Sequence, residues 1–135
     1  MRKRCLRDGN SLVYLNTRFS PSVAYFGGAI RATDLFARWG GEEFIVLMPG
    51  SDINAARLLA EKLRMLLEKQ PFADVGQVTC SFGVAQLMYD ETAERFCLRA
   101  DEAMCAAKLS GRNNVNAAGA IGRRDKDSCA SGAQV

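Results

Sequence analysis

Residues 31–49 read RATDLFARWGGEEFIVLMP, and this stretch decides the fold. Two largely apolar runs flank Gly40 and Gly41. This pattern predicts a β-hairpin, because paired glycines accept the positive φ angles of a tight turn without strain. Glu42 and Glu43 follow directly, and two adjacent carboxylates have no packing role at such a turn. Bare backbone beside carboxylates suggests a site for a metal-bound nucleotide. The alternative is an ordinary hairpin with a solvated acidic edge.

The rest of the patterned region indicates an α+β fold. The strand over 43–48 is apolar on both faces, which is typical of a central strand. The elements expected after it are a helix from Ser51 or Asp52 to about residue 70, a strand over 77–85, a helix from residue 91 or 92 to Ser110 and a short edge strand over 113–116. This order predicts a mostly antiparallel sheet with helices on one face.

The chain is expected to hold one domain with two less ordered ends. Residues 1–28 are poorly patterned, and Ser11–Leu15 could be a short strand or the start of a helix. The patterned domain covers residues 29–116. Residues 117–135 are rich in Gly, Ala and Ser, so we expect a disordered tail.

Composition excludes several classes of function. A net charge of +3 over 135 residues is too small to indicate a nucleic-acid or membrane partner. The chain has no histidine, and its five cysteines show no paired spacing, so no zinc site is expected. The basic start lacks the apolar run of a secretory signal, and no segment reaches the length of a membrane span. We therefore expect a cytoplasmic location.

Several separate motifs occur in one order along the chain. They are Arg31-x-x-Asp34, the run ARWGGEEF over 37–44, SFGV over 81–84, ADEA over 100–103, Ala107-Lys108 and GRN over 111–113. This set resembles the GGDEF family, the diguanylate cyclases that condense two molecules of GTP into cyclic di-GMP and pyrophosphate. The resemblance implies a nucleotidyl-cyclase or ferredoxin-like palm fold.

The resemblance also implies roles for the hairpin residues. Glu42 would be the catalytic acid that helps to deprotonate the attacking hydroxyl, and Glu43, with Glu42, would hold Mg²⁺ or Mn²⁺. The division of roles between the two glutamates stays open. Gly40 and Gly41 would let the backbone approach bound GTP.

Two further pairs of residues match the family's motifs. Lys108 and Arg112, which are one helical turn apart in sequence, would contact the nucleotide phosphates. Alone they would be a solvated helix end. Arg31 and Asp34 match the family's allosteric cyclic di-GMP site. An arginine fork pairs with guanine O6 and N7, and a carboxylate accepts from guanine N–H groups. Without the other motifs, this pair would be an ordinary surface ion pair.

One part of the family pattern is absent. The metal site requires a first strand with the run aspartate, apolar, aspartate, x, phenylalanine, lysine, and no such run occurs in residues 1–39. We therefore expect a partial domain whose first strand is missing. Residues 8–19 weakly resemble the opening of the family's domain, so either a deletion lies between Phe19 and Ala29, or the chain is a C-terminal fragment fused to unrelated residues.

Three hypotheses of function follow. The chain is a cyclase completed by a partner or by Asp8 and Asn16 in a rebuilt strand; or an inactive module that binds cyclic di-GMP through Arg31 and Asp34; or a nonfunctional remnant. We expect the isolated chain to be inactive. Any catalysis would imply a homodimer, because in this family two domains each hold one GTP.

Overall fold

The structure is a computed structural model that describes residues 9–18, 20–72 and 75–119, with only the backbone of 20–22. The strands are β1 Ser11–Thr17, β2 Leu35–Arg38, β3 Glu43–Met48, β4 Pro71–Phe72, β5 Gly76–Gln77, β6 Cys80–Gln86 and β7 Val115–Ala117. The helices are α1 Ile53–Lys69, α2 Ala93–Leu109 and a short 3-10 helix Ser20–Phe26. This composition confirms the predicted α+β class. The predicted tail from residue 120 onward lies outside the described residues.

β1 is the central strand of a five-stranded sheet with the order β2-β3-β1-β6-β7. It runs antiparallel to both β3 and β6. The prediction that the first strand is missing was therefore wrong. The run LVYL over 12–15 is apolar on both faces, as a central strand requires, and so it lacks the alternation that identifies half-buried strands. β3 consequently has a partner on each side and is no sheet edge.

The two α-helices cover opposite faces of the sheet, so the prediction of helices on one face was also wrong. Val13 and Leu15 of β1 point into the core under α1. Leu12 and Tyr14, which alternate with them, point into a second core under α2. The apolar stripe of α2 packs on the face that α1 leaves open.

Local sequence sets the ends of both helices. The Asp52 carboxylate accepts a hydrogen bond from the Ala55 N–H at 3.0 Å and caps α1. The Thr92 hydroxyl does the same for the Arg95 N–H at 3.1 Å at the start of α2. Gly111, with φ +118°, follows the end of α2, in the left-handed conformation that glycine adopts there.

Close packing of α2 on β6 depends on Gly83. A Cβ atom at this position would collide with the carbonyl oxygen of Ala100 and the backbone nitrogen of Met104. Both are backbone atoms of α2, so no side chain can move aside to make room. The absence of a side chain at Gly83 therefore sets how closely α2 approaches the sheet.

We predict that Gly83→Ala destabilises the fold by at least about 1–3 kcal/mol, because the added methyl group pushes α2 off the sheet. Gly28→Ala is the matched control: its Cβ would meet nothing within 4 Å, and the residue has no positive φ. That variant should stay within about 0.5 kcal/mol of the parent. Urea unfolding measures both. Equal stability of the two variants would contradict the packing argument.

A buried ion pair fixes the start of α2. Arg99 donates from Nε to Glu91 Oε2 at 2.7 Å and from Nη2 to the Gln86 carbonyl oxygen at 2.6 Å. The Met88 N–H also donates to Glu91, at 3.0 Å. Burial alone would raise the pKa of Glu91, but the hydrogen bonds from Arg99 and Met88 outweigh it, and the pKa is lowered.

A lowered pKa means that the pair stabilises the fold above the unfolded-state pKa of about 4.3, and that this contribution is lost as the pH falls through the folded-state value. We predict that Glu91→Gln costs about 1–3 kcal/mol at neutral pH and progressively less below pH ~4. Glu61→Gln, which removes an exposed partner of Arg64, should change stability by less than about 1 kcal/mol. Urea unfolding at several pH values tests this, and a cost independent of pH would contradict it.

No helix within residues 9–18, 20–72 and 75–119 has the length and apolarity to cross a bilayer.

Candidate functional site

The β2–β3 hairpin is closed by backbone hydrogen bonds. The N–H groups of Trp39 and Gly40 both donate to the carbonyl oxygen of Glu43, at 2.7 and 3.1 Å. The Thr17 N–H donates to the carbonyl oxygen of Glu42 at 2.9 Å. The end of β1 therefore holds the turn in place, and position 17 lies directly beside the acidic residues.

Neither Gly40 nor Gly41 has a positive φ, so the predicted reason for these glycines was wrong. Arg38 stabilises the turn instead: its Nε donates to the Gly40 carbonyl oxygen at 3.0 Å, and its Nη2 to that of Gly41 at 2.7 Å. A Cβ at Gly41 would meet nothing within 4 Å, and one at Gly40 would make only ordinary contact with Glu43. The fold does not need these glycines, but they leave the backbone open to a ligand.

The two glutamates have different surroundings. Glu42 is exposed at the turn, whereas Glu43 is half-buried at the start of β3. The Tyr14 hydroxyl donates to Glu43 Oε1 at 3.1 Å. Asn16 lies directly opposite Glu43 in the register of β1 and β3. β1 thus presents a phenol and an amide to Glu43, and no carboxylate.

Helix α2 adds two charged residues to this face. Burial raises the pKa of Asp101, as does the charge of Glu43, whereas Lys108 lowers it. Burial raises the pKa of Tyr14, as do the charges of Asp101 and Glu43, so Tyr14 stays a neutral donor. We call Tyr14, Asn16, Glu43, Asp101 and Lys108 the Glu43 cluster. Sequence reasoning missed Tyr14, and it noted Asp101 only as part of a motif.

A cavity of about 420 Å³ opens beside the Glu43 cluster. Its lining combines two aromatic rings, two carboxyl groups and a free thiol, without a lysine or arginine: Tyr14, Trp39, Ala93, Glu94, Cys97, Leu98 and Asp101. Burial raises the pKa of the Cys97 thiol. The negative lining disfavours phosphate groups, so a phosphate would have to approach from the hairpin and Lys108 instead.

The prediction that Lys108 and Arg112 lie one helical turn apart was wrong. Lys108 lies in the last turn of α2, which ends at Leu109. Arg112 follows Gly111 in a left-handed conformation, with φ +60°, and its N–H donates to the Ala107 carbonyl oxygen at 3.0 Å. The glycine reverses the chain, so Arg112 is exposed in a loop beyond the helix. This reversal also shifts the predicted edge strand to 115–117.

Arg31 and Asp34 are brought together, but they bind each other. Arg31 Nη2 lies 2.8 Å from Asp34 Oδ1 and 2.8 Å from the Ser51 hydroxyl. The hydrogen bonds that Arg31 donates to Asp34, together with the charge of that carboxylate, raise the pKa of Arg31. The Arg31 side chain is 53% exposed, whereas that of Asp34 is only 1% exposed. The carboxylate is therefore covered, and the guanidinium is reachable from solvent.

The Arg31–Asp34 pair lies at the wall of the larger cavity, of about 850 Å³. Leu58, Met65 and Leu66 of α1 supply much of its apolar surface. Leu58 is largely exposed. An apolar wall beside a charged pair suits a ligand that has flat rings and polar edges.

The residues around Glu43 do not fit a divalent cation. Within residues 9–18, 20–72 and 75–119, no three potential ligands among His, Cys, Asp and Glu gather in one place. The Glu43 cluster offers one carboxylate that already accepts from Tyr14, one carboxyl with a raised pKa and a nearby ammonium. Mg²⁺ and Mn²⁺ prefer several anionic oxygen ligands. Asp8, the other acid considered for this site, lies outside the described residues.

Comparison with known proteins identifies the family of this chain. A family model described as "Diguanylate cyclase, GGDEF domain" matches residues 24–114. The diguanylate cyclase DgcP of Pseudomonas aeruginosa is 39% identical over 92 residues, which cover 66% of this chain. The match takes up 14% of the length of DgcP, so this chain spans only a small part of that relative.

Solved structures agree on the fold. The active GGEEF domain of a diguanylate cyclase from Vibrio cholerae superposes with a TM-score of 0.79 at 23% identity, covering 92% of this chain and 89% of that domain. The GGDEF domain of DgcB from Caulobacter crescentus, in complex with c-di-GMP, gives 0.73 at 23% identity, covering 84% and 77%. The resemblance found in the motifs is therefore confirmed: this chain belongs to the GGDEF family.

Proposed function

We propose that this chain does not make cyclic di-GMP by itself and that it binds cyclic di-GMP through Arg31 and Asp34. The first part rests on the hydrogen bond between Tyr14 and Glu43, in a cluster where β1 contributes no acid. The second part rests on the position of the Arg31–Asp34 pair at the wall of a large cavity. A cytoplasmic location, where GTP and cyclic di-GMP would be met, is part of this proposal, and a homodimer would be needed only for catalysis.

The electrostatics of the hairpin disfavour synthesis of cyclic di-GMP. In phosphoryl transfer, bound Mg²⁺ or Mn²⁺ neutralises phosphate charge and lowers the pKa of an attacking oxygen. Glu43, the proposed holder of that ion, is bound to a phenol and faces an amide. Glu42, the proposed catalytic acid, is exposed at the turn. Without a well-held ion, a carboxylate at Glu42 would repel the incoming phosphates.

Nucleotide contact is still chemically reasonable at the hairpin. Gly40 and Gly41 carry no side chain, and the space beside Gly41 is open within 4 Å. Lys108 and the exposed Arg112 supply a point charge and a guanidinium fork near the end of α2. These four residues would hold the phosphates of GTP weakly, because Arg112 is exposed and its charge is screened by solvent and salt.

Cyclic di-GMP recognition at Arg31 would exchange one set of contacts for another. The guanidinium would donate to O6 and N7 of guanine, and Asp34 would accept from the guanine N–H groups. Asp34 must first be uncovered, since Arg31 now shields it. The Arg31 guanidinium is 53% exposed, so water and a guanine base can both compete with it for Asp34. The apolar wall from α1 would cover the faces of the base.

We predict no detectable cyclic di-GMP when the full chain is incubated with GTP and Mg²⁺, or with Mn²⁺ in its place. Product is measured by liquid chromatography with mass detection, with a family enzyme of known activity as positive control. Turnover that disappears in the Glu43→Gln variant would overturn this part of the proposal.

We also predict that cyclic di-GMP binds to the chain and that Arg31→Ala weakens binding by roughly tenfold or more, because the guanine fork is lost. Asp34→Asn should weaken it as well. The matched control is Arg57→Ala, which removes an arginine from the exposed face of α1 away from the cavity lining. Isothermal titration calorimetry compares the four proteins. No binding, or equal binding by Arg31→Ala and the parent, would contradict the proposal.

A further inference from the structure

We infer that Asn16 is the residue that keeps divalent cations out of the hairpin site, and that a carboxylate at this one position would create a cation site between β1 and β3. This inference rests on the proposed lack of synthesis and goes one step further. It attributes the lack of a cation site to one side chain of β1. The sequence alone had suggested that this strand was deleted.

The backbone fixes the place of position 16. Asn16 is the Cα partner of Glu43 on one side of β1 and of Ser81 on the other. The neighbouring Thr17 N–H donates to the Glu42 carbonyl oxygen at 2.9 Å. Directly opposed residues of antiparallel strands have Cβ atoms about 4.5–5.5 Å apart on one face of the sheet. Any side chain at position 16 is therefore presented to Glu43.

The surroundings of position 16 are nearly closed to solvent. Asn16 is only 7% exposed. A carboxylate there would lose much of its hydration and would face Glu43, whose charge already acts on Asp101 of α2. Two carboxylates opposed across β1 and β3, at a position nearly closed to solvent, repel each other strongly. A divalent cation with oxygen ligands relieves that repulsion. A carboxylate at position 16 would therefore destabilise the fold when the site is empty and would increase the affinity of the site for the ion.

The present residues do the opposite. An amide adds no charge at position 16, so it adds nothing to the repulsion between Glu43 and Asp101. Tyr14 donates to Glu43 Oε1 and satisfies part of its hydrogen-bonding capacity. Lys108 supplies a positive charge close enough to act on Asp101. The negative charges of the Glu43 cluster are thus compensated by the hydrogen bond from Tyr14 and by the positive charge of Lys108.

The test compares the full chain with Asn16→Asp and with Asn54→Asp. Asn54 is exposed on α1, so its variant makes the same chemical change away from the hairpin. The probe is Mn²⁺ alone, followed by the electron paramagnetic resonance signal of the free ion. We expect Asn16→Asp to bind one Mn²⁺ at least about tenfold more tightly than the parent, as expected when a further anionic ligand joins the set. Asn54→Asp should behave as the parent does.

Thermal unfolding gives a second readout. Asn16→Asp should unfold at a lower temperature than the parent in EDTA and recover with Mn²⁺, because a ligand that binds only the folded state stabilises it. In the parent, any change of the unfolding temperature with Mn²⁺ should be the same as in Glu43→Gln. If Asn16→Asp folds but gains no affinity for Mn²⁺, the inference about position 16 is overturned, whereas the proposed function is unaffected.

The parent protein supplies an independent outcome, even if Asn16→Asp does not fold. Mn²⁺ binding by the parent that Glu43→Gln abolishes would overturn the inference, because the site would then already hold an ion. That result would also remove the argument against synthesis. Parent protein that binds no Mn²⁺ at Glu43 supports both.

Discussion

β1 hydrogen-bonds to a strand on each side, and the rest of the molecule depends on this double pairing. Its register sets Ser11–Asn16 against β3 and Ser11–Thr17 against β6. Alternate side chains then enter two separate cores, one under α1 and one under α2. Without β1, β3 and β6 would each expose an unpaired edge. The hairpin is likewise positioned by β1, through the hydrogen bond from Thr17 to Glu42.

The parts of the fold that the sequence predicted are those with strong local signals. α1 has a cap and an apolar stripe, and α2 has a cap and a terminal glycine, so both helices were found close to their observed bounds. β1 was missed for a physical reason. A strand buried on both faces has no periodicity of two, and it was judged against a motif whose acidic residues it does not carry.

The candidate site was predictable only where its residues are neighbours along the chain. The hairpin glutamates and the Arg31-x-x-Asp34 pair were read from short motifs. Tyr14 and Asp101 reach Glu43 through the pairing of β1 with β3 and the packing of α2, which no local pattern encodes. The ion pair between Arg31 and Asp34 could not be predicted either, because sequence spacing does not show whether two residues contact a ligand or each other.

Gly83 and Gly41 differ in whether the fold requires a glycine. Gly83 is required by the fold, because a methyl group there would strike the backbone of α2. Gly41 is required by neither turn geometry nor packing, since its φ is not positive and a methyl group there would enter open space. A hairpin that needed only to reverse the chain could carry alanine at that position. The space beside the turn therefore leaves room for a bulky group to approach from outside, and β1 carries no acid that could hold a cation for such a group.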